Sequence, residues 1–312
     1  MLHYRFPGEE TQHLNGNFQL VESIENQDFI VTDFTQQLKY TWQQELAPTF
    51  NKSSAPFCID QSGYLQQAEA LIHDLNKGLA DKVVLSRILK ATQTLTNPMA
   101  LFDALLKRYP NAFIYFFEDT ILGSWIGASP EIFIENLGER WRTMALAGTK
   151  VASEERDFSF KEYHEHAMVT EFIEGQLRQI PGAQLHVSEL KSYSPGPVSH
   201  LLQELTWQMP TEVLPILIRF LHPTPAVAGL PQKVAIQYIQ GVEAHERRLY
   251  TGLIGRLEAG REKLYVNLRC AELIDQQLYC YVGGGFTPDS VAQNEWQEGE
   301  NKSQTLLGLL PN

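Results

Sequence analysis

The sequence predicts an α+β protein built from two related, largely antiparallel β layers, and three observations carry that reading. Strand-like runs at 112–117, 121–126 and 131–135 follow one another across short turns, the connectivity of an antiparallel sheet. A second group of runs, at 252–257, 263–271 and 278–282, comes near the end of the chain in the same manner. Helical periodicity over 64–77, 98–108, 159–179 and 232–244 interrupts the strands, and no linker divides them, so residues 1–312 read as a single unit without an internal repeat.

A chain of 312 residues can bury a large core. Its charged fraction of 20% and aromatic fraction of 11% exclude a disordered protein. The net charge of -12, with no Lys/Arg cluster, excludes a phosphate-tracking nucleic-acid surface. An acidic chain still binds an anion where arginines, lysines, backbone amides or a metal reverse the local field. Cys58, Cys270 and Cys280 are too scattered for a disulfide framework and form no CxxC pair, which points to a reducing compartment. The first residues lack a basic stretch followed by an apolar core, and no apolar run is long enough to span a bilayer, so the expected location is cytoplasmic, away from membranes.

Residues 1 to about 60 mix short apolar and polar pieces, with a loop at 51–56. In the first helix Leu65, Ala68, Leu71, Ile72 and Leu75 share a face, and Gly78 caps it. The β-branched run 82–89 is a strand with Lys82, Val84 and Ser86 on one face; a lysine at a strand start is ordinarily an exposed end charge. Asn97 and Pro98 supply an N-cap and a first-turn proline for the next helix, which Tyr109-Pro110-Asn111 stops. Gly127 to Pro130 forms a turn that leaves Glu131 at a strand start, again an unremarkable place for a carboxylate. A strand at 142–146 runs into Ala147-Gly148-Thr149, small enough to let a ligand approach the backbone.

On the helix at 159–179, Met168, Phe172 and Ile173 face inward, while Glu162 and Glu165, three apart, share a side. His164 and His166 are two apart, so they do not make the HExxH zinc pattern. After a Ser/Pro/Gly loop at 192–197, a helix beginning near Val198 carries His200, a setting in which a histidine is more often structural. The run from Arg219 to Pro231 packs prolines and glycines around His222 more densely than a connecting loop requires, and so positions something. Beyond it lie Arg269 on an alternating strand, the triple glycine Gly283-Gly284-Gly285, and Glu295, Glu298 and Lys302.

Each acidic pair alone reads as a solvated helix face. Brought face to face, Glu162/Glu165 and Glu295/Glu298 would bind one hard divalent cation such as Mg²⁺. Arg269 and Lys302 can hold carboxylates, and the glycines at 283–285 can present backbone N–H groups. The implied ligand is a small polycarboxylate bound through Mg²⁺.

Eight blocks occur in an order that resembles the chorismate-utilising enzyme family, most closely its isochorismate synthases. They are Lys82-Val-Val-Leu-Ser-Arg87, Gly127-Ala-Ser-Pro-Glu131, Leu146-Ala-Gly-Thr149, Lys161-Glu-x-x-Glu-His166, His222-Pro-Thr-Pro-Ala-Val-x-Gly-x-Pro231, Glu246-Arg-x-x-Tyr-x-Gly-x-x-Gly255, Leu268-Arg-Cys-Ala-Glu-Leu273 and Glu295-Trp-x-Glu-x-x-x-Lys302. The resemblance spans roughly residues 64 to 305, and any one block alone would be weak. It implies two stacked, largely antiparallel sheets with helices packed outside, and a shortened part before about residue 60.

It also implies the reaction: reversible, Mg²⁺-dependent addition of water at C2 of chorismate with loss of the C4 hydroxyl. Lys82 then matches the water-activating base and Glu131 the general acid, roles that require a neutral lysine and a protonated carboxyl. Glu165 and Glu298 match metal ligands, supported by Glu162 and Glu295. Tyr250 and Arg269 match the residues holding the enolpyruvyl carboxylate, Lys302 stands by the ring carboxylate, and Ala147, Gly148, Thr149 and His200 line the ring. Water as nucleophile implies no glutamine amidotransferase partner, and the family favours a monomer; the product would feed menaquinone or siderophore synthesis. Where the family commonly shows Gly-Ala-Gly-Ile-Val, this chain has Gly283-Gly-Gly-Phe-Thr287, which changes the local pocket shape. Anthranilate synthases typically carry glutamine at the Lys82 position. Aminodeoxychorismate synthases share the lysine and use it differently. The other open readings are a salicylate synthase, which also eliminates pyruvate, and a silent relative that only binds a carboxylate ligand.

Overall fold

A computed structural model describes residues 1–25, 27–44 and 54–310. The chain begins with five strands, β1 (Leu2–Arg5), β2 (Gln12–Leu14), β3 (Asn17–Val21), β4 (Phe29–Thr32) and β5 (Lys39–Gln43). Then come α1 (Gln61–Asn76), β6 (Lys82–Thr94), α2 (Pro98–Arg108), β7 (Phe113–Asp119), β8 (Gly123–Ser129), β9 (Ile132–Asn136), β10 (Trp141–Val151) and α3 (Phe160–Leu177). The remainder comprises β11 (His186–Val187), β12 (Lys191–Tyr193), β13 (Val198–Trp207), α4 (Leu214–Leu221), β14 (Gly229–Leu230), α5 (Gln232–Val242), β15 (Leu253–Arg256), β16 (Lys263–Val266), β17 (Cys270–Ile274), β18 (Gln277–Phe286) and α6 (Ala292–Leu307).

Among the described residues these strands form two antiparallel sheets. One has eight strands in the order β14-β6-β18-β17-β8-β7-β1-β2; the other has ten, in the order β11-β13-β10-β9-β16-β15-β4-β5-β3, with β12 also paired to β13. The sheets stack through a shared aromatic core to which both contribute, including Phe113, Tyr115 and Trp125 from one and Phe29, Met144 and Tyr265 from the other. Helices cover the outer faces. Leu101, Phe102 and Leu105 of α2 and Leu306 of α6 pack on the eight-stranded sheet, and Val169, Ile173 and Leu177 of α3 with Leu217 and Ile218 of α4 pack on the ten-stranded one. Tyr64, Leu71 and Leu75 of α1 and Ala235 and Ile239 of α5 close over Val83, Leu85 and Phe286. Among the described residues no helix is long and apolar enough to cross a membrane.

Local chemistry explains the helix starts. Asn97 accepts the Ala100 N–H, with Pro98 in the first turn. Ser159 and Glu162 form a reciprocal capping box at the start of α3. Of the loop expected at 51–56, residues 51–53 lie outside the described residues and 54–56 have no regular structure.

Three expectations are corrected. The segment from Val198 is strand β13, paired with β10 and with β11 and β12, so His200 sits on a sheet; Leu201, Leu202 and Leu205 look helical in sequence because the strand is buried on both faces. The run 263–271 is broken: the chain leaves the ten-stranded sheet after Val266 and enters the eight-stranded one at Cys270, so Arg269 lies in the connection, with φ of 48°. The triple glycine is the continuation of β18, with Gly283, Gly284 and Gly285 opposite Ser86, Leu85 and Val84 of β6.

A second connection crosses between the sheets at Pro130 and Glu131, between β8 and β9. The two crossings run side by side. Ala128 N–H donates to the Arg269 carbonyl at 3.1 Å, Val266 N–H donates to the Glu131 carbonyl at 3.1 Å, and Ser129 Oγ donates to the Val266 carbonyl.

Candidate active site

The paired crossings bring Glu131 and Arg269 to the wall of one cavity. Lys82, Ala147, Gly148, Thr149, Glu165, His200, Tyr250, Gly283, Gly285 and Lys302 also line it. Of the residues expected at the site, Gly284, Glu162, Glu295 and Glu298 lie outside this lining. The three glutamates line an adjoining polar cleft that shares Thr149.

Lys82 opens β6 and is 1% exposed, so the ordinary reading of a strand-end lysine as a surface charge does not hold. Its burial follows from the proline-rich run. Gly229 and Leu230 pair with Val83 and Lys82, and a Cβ on Gly229 would lie 2.1 Å from the Lys82 carbonyl oxygen, so only glycine allows this approach. Arg247 fastens the arrangement by donating to the Val227 carbonyl at 2.8 Å and the Val84 carbonyl at 2.7 Å, while Glu243 accepts from it and from Ser86 N–H. Lys82 Nζ lies 2.9 Å from Glu165 Oε1.

Glu131 is 4% exposed. Burial pushes its carboxyl up to about 8, against the pull of Lys82, Lys302 and Arg269, so it is held protonated at neutral pH. Glu165 is buried too, and burial acts to raise it, but Lys82, Lys161 and Lys302 together hold it below the usual carboxylate range. Two buried carboxyls in one site are thus kept in opposite protonation states.

Arg269 presents an unmatched donor. Its Nη2 donates to His200 Nε2 at 3.1 Å, whereas its buried Nη1 has no hydrogen-bond partner. An orphaned guanidinium nitrogen in a polar cavity fits a carboxylate ligand. Burial, with Arg269 and Lys302 nearby, holds His200 well below the usual histidine range, so the ring is neutral; since Nε2 accepts from Arg269, the proton sits on Nδ1, 3.2 Å from Thr149 Oγ1. A bulge between Ala147 and Thr149 sets off Gly148, whose φ of +67° and close packing against the Glu162 carbonyl exclude a side chain. Tyr250 is buried between Arg248 and Thr251, with φ of 50° and 62°, in a loop held off the favoured backbone regions.

The triple glycine makes room. A Cβ at Gly285 would lie 2.2 Å from Glu165 Oε1 and 2.7 Å from Lys82 Cε, and one at Gly284 would lie 3.0 Å from Glu295 Oε2. No hydrogen bond from these glycines to a ligand group is needed to explain them. The Gly283 carbonyl accepts from Lys302 Nζ at 2.8 Å.

For a metal, the donor chemistry fits. Glu165 on α3 and Glu295 and Glu298 on α6 are hard oxygen donors close enough to act on one another: burial first, then Glu298 and Glu165, push Glu295 up to about 7 against Lys161. Each is matched here to a cation: Glu165 to Lys82, Glu295 to Lys161 at 2.6 Å and Glu298 to Lys302 at 2.5 Å. Accordingly, among the described residues no three His, Cys, Asp or Glu side chains are grouped to hold an ion. Glu162 is engaged elsewhere, by Arg156 at 2.7 Å and by its own helix cap.

The residues 9–311 match the family described as chorismate binding enzyme. The chain belongs to that family. Among curated relatives, the isochorismate synthase EntC of Escherichia coli is 30% identical over 243 residues, which is 73% of this chain and 62% of EntC, so the chain spans less than two thirds of that relative's length. The isochorismate synthase DhbC of Bacillus subtilis is 30% identical over 290 residues, 85% of this chain and 71% of DhbC. The crystal structure of DhbC from Bacillus anthracis superposes with a TM-score of 0.82 at 24% identity, covering 99% of this chain and 95% of the other, which shows the shared fold. The family's stacked antiparallel sheets are those found here.

Sequence reasoning missed the apolar part of the cavity, including Val84, Leu146, Val227, Leu268 and Tyr281. Side chains without distinctive chemistry carry no such signal. The signals were only positional: Val227 lies in the proline-rich run, Val84 shares the Lys82 face of its strand, and Leu146 and Leu268 adjoin Ala147 and Arg269. Lys161 was also missed as an electrostatic partner, because an ion pair between distant helices leaves no trace in spacing.

Proposed function

We propose that this chain is an isochorismate synthase, interconverting chorismate and isochorismate by adding water at C2 of the ring and releasing the C4 hydroxyl as water. The observation that carries the reading is the shared cavity of a buried lysine, Lys82, and a buried carboxyl, Glu131, held protonated up to about 8. In the forward direction Lys82, as the free amine, takes a proton from the attacking water, and Glu131 gives its proton to the departing hydroxyl. In reverse the two exchange roles.

Arg269, through its free Nη1, and Tyr250 would hold the enolpyruvyl carboxylate, with the ring carboxylate near Lys302. The neutral His200 and the small residues Ala147, Gly148 and Thr149 shape the wall against the ring. Mg²⁺, held by Glu165 and Glu298 with support from Glu295 and Glu162, would supply the positive charge that lets carboxylates and substrate anion share one site. Water as nucleophile leaves no role for a glutamine-hydrolysing partner.

The test is incubation of purified protein with chorismate and Mg²⁺ and chromatography of the products. Isochorismate alone is expected; salicylate with pyruvate, or unchanged substrate, would replace this reading. Arg269→Lys should raise KM by roughly tenfold or more, since one ammonium cannot reproduce a planar fork and a charged hydrogen bond is worth about 1.5–3 kcal/mol. Unchanged steady-state constants would remove Arg269 from the substrate.

Glu131 also sets a pH dependence. Because its carboxyl is raised from 4.5 to about 8, the acid it supplies is present below that range, and kcat/KM should decline as pH rises through it. Its effect on stability has the same sign: the favourable contribution is complete below 4.5 and is lost as pH rises towards and through 8. Glu131→Gln should therefore lose less stability than the parent protein between pH 5 and 8, as measured by denaturant unfolding across that range.

A further inference from the structure

We propose that Lys161 is the resident counter-ion of the carboxylate cluster, its ammonium standing where a divalent cation would act, so that metal binding is an exchange that expels Lys161 towards solvent. This deepens the reading of Glu165, Glu295 and Glu298 as metal-holding residues and rests on it.

Lys161 begins on α3, yet its Nζ lies 2.6 Å from Glu295 Oε1 on α6 and 4.0 Å from Glu165 Oε2 on its own helix. Glu298 adds to the same field. One ammonium thus bridges the two helices that supply the carboxylates, as a bound dication would. Lys82 and Lys302 also face the cluster, but both line the substrate cavity: Lys82 is 1% exposed, and Lys302 is tied to the Gly283 carbonyl. Lys161 is different. Its side chain is 24% exposed and lines the outer polar cleft, so it has a route to water that costs little burial.

Charge supports the exchange. Three carboxyls face three lysine amino groups, and a dication that entered with every lysine in place would add two positive charges to a poorly solvated site. Withdrawing the most exposed lysine relieves that excess and frees oxygens of Glu295 and Glu165. The bland alternative is a staple that only joins α3 to α6.

Mg²⁺ titration of the substrate-free protein by calorimetry, with thermal unfolding in chelator and at saturating Mg²⁺, separates these. Lys161→Met should bind Mg²⁺ roughly tenfold more tightly, equivalent to about 1.4 kcal/mol, while melting lower than the parent in chelator and recovering as Mg²⁺ saturates. Lys161→Arg, which keeps the charge, should bind Mg²⁺ much as the parent does. An unchanged or weaker affinity in Lys161→Met, with the same loss of melting temperature with and without Mg²⁺, would leave only the staple and overturn the proposal. A parent protein that binds no Mg²⁺ overturns the metal reading itself, and this inference with it.

A measurement on the unaltered chain guards against misfolding of the variant. Labelling by an amine-reactive acetylating reagent, read by mass spectrometry, should rise several-fold at Lys161 on adding Mg²⁺. Unchanged or lower labelling of Lys161 in protein that binds Mg²⁺ also overturns the exchange.

Discussion

Lys82→Ala is expected to lose roughly 100-fold or more of turnover in both directions while still binding chorismate, the size typical of a missing general base. Of the two lysines in the cavity lining, Lys302 is held by Glu298 at 2.5 Å and by the Gly283 carbonyl, which leaves Lys82 as the amine free of backbone ties. Glu131→Gln should show a loss of similar size, because an amide cannot protonate a leaving hydroxyl. An exposed strand-end lysine would instead give no kinetic effect and less than about 0.5 kcal/mol in stability. Burial changes the second expectation: removing Lys82 takes away the close partner of Glu165 and leaves it the more distant Lys161 at 4.0 Å, so the cost should approach about 3 kcal/mol, that of a broken buried pair. Rates must therefore be corrected for the folded fraction. A well-folded Lys82→Ala that turns over at the parent rate would end the mechanism even if chorismate and Mg²⁺ still bound.

Gly285→Ala should be nearly as damaging, and for a reason particular to this chain's packing. The added methyl would fall 2.2 Å from Glu165 Oε1 and 2.7 Å from Lys82 Cε, so it strikes the proposed base and a proposed metal ligand together. Both atoms are at the ends of side chains, and β18 can keep its pairing of Gly285 with Val84 while they move aside. The fold should survive. A displacement of about 1 Å in reacting groups is enough to cost roughly 100-fold in rate. The comparison of interest is steady-state activity against far-ultraviolet circular dichroism and melting temperature. Normal activity in a folded Gly285→Ala would mean that neither Lys82 nor Glu165 needs its present position.

Much of the frame was legible because it follows local rules. Asn97-Pro98 and Ser159 with Glu162 start their helices as capping chemistry requires, and the first two runs after Ala112 pair as an antiparallel hairpin, whereas the third, β9, joins the other sheet. Strand β13 was not legible, since a strand buried on both faces has no alternation and its leucines imitate a helical stripe. The break at Arg269 was hidden for a different reason: a crossing between two sheets is decided by where the sheets dock, and no residue in 263–271 signals it. Within the site, the chemical types could be read from the chain, and Lys82, Glu131, His200, Tyr250 and Arg269 do share one cavity. Their charge states could not be read, because burial of Glu131 and pairing of Lys82 with Glu165 arise only from tertiary contact.

Glu131 and Arg269 both stand on chain that passes from one sheet to the other, and the two passages are hydrogen-bonded together. A ligand gripped by both residues is therefore fastened across the seam of the molecule, much as a bolt holds two plates. Any fluctuation that parts the layers must first let the ligand go, so the free energy of binding is added to the cost of parting them. At a ligand concentration of 100 times Kd that addition is about 2.7 kcal/mol, spread over two whole sheets by contacts with a handful of side chains. Occupancy by a small molecule would thus govern how readily a protein of this size breathes.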